Sequence, residues 1–350
     1  MKVLADYMFE DFEHIARDTY LPRHRIRYIN EKLEKHYRMS RLKSDRIIPL
    51  TIPMPITLIC KCAVGKHVEE EDILLGNWFK LFMGLLANTN STKAVNKDGS
   101  TEGLRTSSDV TYSPSIISVG NGTTPESYDD YNLVSHTADL DTSRSVSHLA
   151  DRSRVSFQAT ADRDAEEFGL RQGLFDPGGT THIFYLSRKV SSVANGQVIT
   201  INVDFVSPWT YNIALIMFGI HNNTDVDGVK DHAGNVFTAR TTGDMNSYGV
   251  EVDVDTSPIT WSPTEYTLPS PLPTSTERFF LESKLTDILI MNAYRIPVSD
   301  EEINSVGLRL GVYDTGATEH DVYVALISLA EPVTFKANVR NLLHVRIVAF

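Results

Sequence analysis

Cys60 and Cys62 are the only two cysteines in 350 residues, and they stand two apart in an extended stretch. Side chains at that spacing on a strand point the same way without reaching bonding geometry. A disulfide framework is excluded, and a chain made and folded in a reducing cytoplasm is expected. No run approaches the about 18 continuous apolar residues of a membrane span; the longest, residues 213–220, suits a buried strand or a short helix. Residues 1–10 have no apolar core behind a positive start, so no signal peptide is read. A Walker loop, a dinucleotide fingerprint, a G-x-S-x-G elbow and a Cys-x-x-Cys pair are also missing, so no enzyme and no cofactor is indicated. Positive charge is scarce beyond residue 50. Of 33 Lys/Arg and 45 Asp/Glu, eleven and eight fall in the first 50 residues, and the rest of the chain carries 22 against 37. An acidic body of this kind repels nucleic acid.

What the sequence does contain is a repeat. Residues 168–180 recur as residues 306–318 with seven of thirteen positions identical, where composition predicts about one. The shared residues include Gly169, Leu170, Arg171, Gly173, Asp176 and Gly178, matched by Gly307, Leu308, Arg309, Gly311, Asp314 and Gly316. Asn88 and Thr89 match Asn223 and Thr224 at an offset of 135, as do Ser127, Tyr131 and Leu133 with Ser262, Tyr266 and Leu268. The repeated segment itself is offset by 138. Small insertions between matched blocks are what a duplicated domain accumulates in its loops. Two copies of one β-rich unit are therefore expected, residues 67–206 and 207–350, after an N-terminal arm of residues 1–66.

Within the arm, Ile26, Ile29, Leu33 and Tyr37 fall at helical spacing and make one apolar stripe suited to assembly contacts. Residues 46–60 alternate apolar positions but carry Pro49, Pro53 and Pro55, which points to an extended arm or edge strand. Gly76 and Asn77 open a short helical run. Residues 88–108 and 224–247 read as long polar loops, residues 112–119, 154–160, 182–186 and 198–206 as strands, and Asn195-Gly196 as a hairpin turn. The repeated segment bends at Asp176-Pro177-Gly178-Gly179 between two strands. Short strands separated by Gly, Pro and Asn turns imply a mainly β chain of two tandem antiparallel, jelly-roll-like β-sandwiches.

In order, Gly76-Asn77 before a short helix, Ser118-Val119-Gly120-Asn121-Gly122-Thr123-Thr124-Pro125, Asp130-Tyr131-Asn132-Leu133, Phe157 to Ala159, Glu167-Phe168-Gly169-Leu170 and the strand after Gly196 form a succession. It resembles a family of small structural proteins of tailed bacteriophages and archaeal viruses, whose pattern includes a strand closing on G-x-G-T-x-P and a glutamate-x-glycine-leucine strand. The resemblance implies β-sandwich modules carried in virions, often in tails or at host-facing positions. It covers about 130 residues of the first copy and is most specific from Val119 to Leu133 and from Glu167 to Leu170. The second copy departs from it: Asp255-Thr256-Ser257-Pro258 replaces the glycine turn, and Asn304 or Ser305 stands where the acid precedes the glycine.

Three features invite a chemical reading. Asn223-x-Asp225-x-Asp227-Gly228 copies the start of a calcium loop, but Gly234 occupies the place of the required glutamate. Glu251, Asp253 and Asp255 alternate with valines, which offers a metal or acid/base face and is read more simply as a solvated strand face. Arg171 with Asp176, and Arg309 with Asp314, are expected to be structural ion pairs or turn caps. His182, His221, His232 and His320 show no close metal-ligand spacing, and no metal site is assigned.

The expectation is a virion structural protein and not an enzyme. It would be synthesised in the host cytoplasm and assemble with itself, as a homo-oligomer, and with other virion proteins into a capsid or tail. The alternative is a host-attachment protein whose two long loops contact a surface glycan or receptor. A glycan hydrolase working from the Glu251 face is a third reading.

Overall fold

Short apolar alternations punctuated by turns become strands, and the chain is mainly β, with two helices among the described residues. The computed structural model describes residues 50–348 except 56–57, 66–69, 72, 90–91, 106–109, 128, 245 and 282–287. The arm positions Ile26, Ile29, Leu33 and Tyr37 lie outside the described residues. In chain order the elements are β1 (Leu50–Pro55), β2 (Leu58–Val64), β3 (Glu70–Glu71), β4 (Ile73–Leu74), α1 (Gly76–Ala87), β5 (Lys93–Val95), β6 (Thr101–Gly103) and β7 (Ile116–Gly120). Then come β8 (His136–Asp139), β9 (Thr142–His148), β10 (Arg152–Thr160), β11 (Ala165–Phe175), β12 (Thr181–Tyr185), β13 (Ser187–Val193) and β14 (Val198–Val206). There follow α2 (Tyr211–Asn222), β15 (Val226–Lys230), β16 (Val236–Ala239), β17 (Asn246–Asp255), β18 (Leu272–Pro273) and β19 (Ser275–Leu281). The last are β20 (Ile288–Arg295), β21 (Glu301–Tyr313), β22 (Glu319–Phe335) and β23 (Asn341–Val348).

Strand order recurs. One sheet of the first half runs β13-β11-β7-β8 beyond its edge strand β4, and one sheet of the second runs β22-β21-β17-β18. The other two run β14-β10-β9 and β23-β20-β19. β2 joins the first of these antiparallel to β14, and β1 joins the second parallel to β23. The stretch holding Cys60 and Cys62 is thus β2, paired on both sides, and neither cysteine is in a disulfide. Successive strands pair as hairpins, β7 with β8, β9 with β10 and β11 with β12, and later strands return beside earlier ones, β11 on β7 and β14 on β10.

Two expectations change. Asn195-Gly196 joins β13 and β14, which lie in different sheets, so it is a crossing and not a hairpin turn. Its register comes from the neighbouring crossing, where Gly196 N donates to Ala161 O (2.8 Å) and Ala161 N donates to Gln197 O (2.9 Å). The polar loops at 88–108 and 224–247 each contain a short hairpin, β5–β6 and β15–β16. Side-chain capping makes these hairpins: Asn96 Oδ1 accepts Asp98 N and Ser100 N (both 3.0 Å), and Asp231 Oδ1 accepts Ala233 N (2.9 Å) and Asn235 N (2.8 Å). Hydropathy alone does not register such local bonds.

Both helices begin at an extended residue without a side-chain cap and end at a left-handed asparagine, Asn88 (φ 47°) or Asn223 (φ 53°). The apolar run at 213–220 is buried on nearly every side as helix α2, a case that periodicity cannot separate from a buried strand. The second residue of each helix anchors it. Asn77 Nδ2 donates to Val95 O (2.8 Å) and Tyr185 O (3.0 Å), and its Oδ1 accepts Val95 N (3.0 Å). Asn212 makes the same three bonds to Lys230 O, Tyr323 O and Lys230 N, at 2.9, 3.2 and 3.0 Å. Asn212→Ala strands these buried backbone groups and should lower stability by about 1–3 kcal/mol. A urea melt with an unchanged midpoint would refute that anchoring role.

The apolar core is continuous from Cys60 to Ile347. α1 packs on β17 and β20 of the second half, and α2 packs on β9 and β10 of the first. Where the helices meet, Trp78 stacks on His221 with ring centroids 4.4 Å apart. Gly169 and Gly307 sit at matched close approaches, where an added Cβ would lie 3.2 Å from Leu133 Cδ2 in one half and 3.1 Å from Leu268 Cδ1 in the other.

Candidate functional site

The repeated segment supplies β11 and β21, and each strand carries its arginine into a polar cluster. Arg171 Nε donates to Asp139 Oδ1 (2.8 Å) and Ser118 Oγ (3.0 Å), and its Nη2 pairs with Asp139 Oδ2. One cation therefore meets one carboxylate. Arg309 meets three: Nη2 lies 2.8 Å from Glu251 Oε2, Nη1 2.6 Å from Asp321 Oδ2 and Nε 2.9 Å from Asp253 Oδ2, although the Nε–H is poorly aligned for a hydrogen bond. Tyr323 donates its hydroxyl to Asp253 Oδ2 (2.8 Å), and Tyr248 donates to Asp321.

Asp253 is only 4% exposed, and its Oδ1 has no hydrogen-bond partner. Burial pushes the Asp253 carboxyl up against the downward pull of Arg309. Burial and then the Asp253 charge likewise push the Tyr323 phenol up. A cavity of about 150 Å³ opens here, lined by His232, Asp253, Arg309, Asp321 and Tyr323 with Pro271 and Pro273 at its side. Such an arrangement can hold a proton on Asp253 or present acceptors to a small polar guest. No family model, curated protein or solved structure matches the chain.

The alternating acids of β17 are therefore not a solvated face. Glu251 is half-buried, and Asp253 and Asp255 are buried, because Arg309 and Tyr323 pack against the first two and the Ser257 and Ser270 backbone closes over the third. Alternation here marks two covered faces, one apolar and one filled with ion pairs and backbone caps. Nor do Arg171 and Asp176, or Arg309 and Asp314, pair with each other in the ion pairs described. The aspartates cap turns instead: Asp176 Oδ1 accepts Thr180 N and Asp314 Oδ1 accepts Thr318 N, both at 2.7 Å. Gly178 and Gly316 lie inside those turns. Asp225 Oδ1 accepts Thr241 N (2.9 Å) and Thr242 N (3.1 Å), and Asp227 accepts the Thr238 hydroxyl, so the calcium-like spelling belongs to the β15–β16 hairpin.

Asp255 takes part in an exchange between the halves. Its Oδ1 accepts Ser257 N and its Oδ2 accepts Ser270 N, both at 2.6 Å. At the same offset of 135 in the first half, Gly122 N (3.0 Å) and Ser135 N (2.7 Å) donate to Oε1 of Glu167. Glu167 lies on β11 and pairs across to Gly120, whereas Asp255 lies on β17 and pairs across to Ser305. One carboxylate caps the same turn in both halves but is delivered from opposite strands of the pair. In the first half it also meets Arg188, whose Nε lies 3.0 Å from Glu167 Oε2 and whose Nη1 lies 2.6 Å from Asp130 Oδ2.

Three important residues carry little signal in the sequence. Arg188 is fully buried but reads as an ordinary strand charge, and Glu167, also fully buried, stands out only through the glutamate-x-glycine-leucine strand of the resemblance. His221 could have been flagged, since a polar residue directly after an apolar run of eight is placed for burial. Its Nδ1 lies 2.9 Å from both Ser115 Oγ and Gln172 Oε1. An amide oxygen only accepts, so Nδ1 carries the hydrogen, and Nε2 has no partner. Burial, and secondarily the Arg144 charge, push its pKa down to about 3.

Proposed function

We propose that the chain is a structural protein of a virion. In this reading it comprises two tandem antiparallel β-sandwich units of common descent, residues 67–206 and 207–350, and residues 1–66 serve as an assembly arm. The observation that carries it is the recurrence of one strand order, one asparagine anchor and one capped turn on both sides of a shared core. Two similar surfaces on one rigid chain suit the repeated contacts of a symmetric particle.

The motifs behind the virus-protein resemblance also act as one physical unit. Glu167, from the glutamate-x-glycine-leucine strand, holds Gly122 inside the G-x-G-T-x-P turn and Val134 and Ser135 directly after Leu133. The arm side is supported by β1, which adds to the edge of the second half's sheet beside β23. Chains that add strands to a sheet edge are a common device for joining neighbours.

Sedimentation of the full-length protein should show a defined oligomer. Ile29→Asp combined with Leu33→Asp should reduce it to monomer and exclude it from purified particles. A wild-type chain that remains monomeric at high concentration, or enters particles equally well with both substitutions, would sink the assembly role.

A further inference from the structure

Glu102 on β6, Asp176 in the turn after β11 and His182 on β12 converge from three separate elements. One ligand atom from each lies within 4.8 Å of the others. His182 Nε2 is 3.4 Å from Asp176 Oδ2 and 3.9 Å from Glu102 Oε2. We propose that these three half-buried side chains bind one zinc ion, with His182 Nε2, Asp176 Oδ2 and Glu102 Oε2 as ligands and water completing the shell.

Both donor set and spacing fit. One imidazole nitrogen with two carboxylate oxygens suits zinc, whereas calcium takes six to eight oxygens and magnesium a near-ideal octahedron. Ligands about 2.0–2.2 Å from a tetrahedral zinc stand about 3.3–3.6 Å apart. Closure onto the ion therefore needs only short side-chain movements. Asp176 Oδ1 is held by Thr180 N at 2.7 Å, which orients the carboxylate and leaves Oδ2 to the metal.

The second half supplies an internal comparison. His320 Nε2 lies 3.3 Å from Asp314 Oδ2, and Asp314 Oδ1 accepts Thr318 N, so the histidine, aspartate and turn share one geometry. The counterpart of Glu102 at the offset of 135 is Phe237. Its ring stacks on His320 with centroids 4.1 Å apart. An apolar lid thus covers the imidazole in one half, and a carboxylate faces it in the other. His320 has a second acid as well, Asp231 Oδ2 at 3.6 Å, but on its other nitrogen, Nδ1, where Asn96 is the counterpart in the first half. At His182 both carboxylates face the one nitrogen Nε2, a like-charge repulsion that a dication relieves. Arg105, the cation beside this turn, is directed to Pro177 O (3.4 Å), as Arg240 is to Thr315 O (3.2 Å) in the half without the glutamate. The arginine is common to both halves, so it does not account for Glu102.

This site is independent of the virion reading. Calorimetric titration of the full-length protein with zinc chloride should show one tight equivalent. Its affinity should fall by more than about tenfold, the least expected even for losing an outer partner, in His182→Ala and in Glu102→Phe. The latter installs the residue that the other half carries, so its fold should survive, with circular dichroism as the check. His320→Ala should leave the equivalent in place. Three results would overturn the site: no zinc uptake by the wild type, uptake of calcium in place of zinc, or undiminished zinc binding by folded Glu102→Phe.

Discussion

Glu167→Ala should destabilise the protein by about 3–5 kcal/mol, the range for removing one partner of a buried ion pair. The side chain is fully buried and accepts Gly122 N, Val134 N, Ser135 N and Arg188 Nε. Its loss leaves three backbone donors short of an acceptor and Arg188, 1% exposed, leaning on Asp130 alone among carboxylates. The second half indicates the compensating change. There the carboxylate comes from Asp255 opposite Ser305, so Gly120→Asp with Glu167→Ser moves the carboxylate to the same strand and removes the contact with Glu167, while the close approach to Ser135 O remains. Gly120→Asp alone should be severe, because a Cβ there would lie 2.7 Å from Glu167 Oε1 and 2.5 Å from Ser135 O. The double variant should be less destabilised than the sum of its singles, by about 0.5–3 kcal/mol of coupling. Equilibrium denaturation of the four proteins measures this cycle, and strict additivity would show that the two positions do not share one cap.

A second large effect concerns acid. An unfolded chain protonates His221 near pH 6.5, but the folded chain does so only near 3. Between these values the unfolded state holds the extra proton, so stability is fully present above pH 6.5 and is lost as pH falls toward 3. The slope is about 1.4 kcal/mol per pH unit. Physically, the proton would have to sit on Nε2, which is buried against Trp78 and Phe157 and has no acceptor. The counterparts of His221 and Gln172 are Leu86 and Leu310, both 0% exposed. His221→Leu alone should cost about 1–3 kcal/mol at neutral pH, because Gln172 loses a partner in a buried setting. Adding Gln172→Leu should recover much of that loss. Between pH 6.5 and 4.5 the double variant should also flatten the slope, above the range where the depressed carboxylates titrate. An equal slope in wild type and double variant would assign the acid sensitivity elsewhere.

Local chemistry was the legible part. The helix opening at Gly76, the turns at Asp176 and Asp314 and the thirteen-residue recurrence all reside in neighbouring residues, and the structure places helix and turns where the sequence puts them. Pairing over long distances was not legible. Arg171 finds Asp139 across 32 positions, and Arg309 gathers Glu251, Asp253 and Asp321 from two flanking strands, so the β17 acids look solvated until the sheet is assembled. Short polar hairpins were missed for the converse reason: Asn96 and Asp231 build them from side-chain bonds to backbone, which hydropathy does not weigh. The His182 cluster escaped because its members come from a hairpin, a turn and a strand, with no motif spacing to connect them.

The helices that cross between the halves have a thermodynamic consequence. A polypeptide consisting of one such half would leave uncovered the sheet surface that the other half's helix occupies, and its own helix would lack part of its seat. It could complete both only by associating with a second copy, and its stability would then rise with protein concentration. Joining the two halves in one chain turns that encounter into an intramolecular event with a fixed effective concentration. The crossing helices then need no second copy to seat them, and the linked protein should unfold in a single cooperative step.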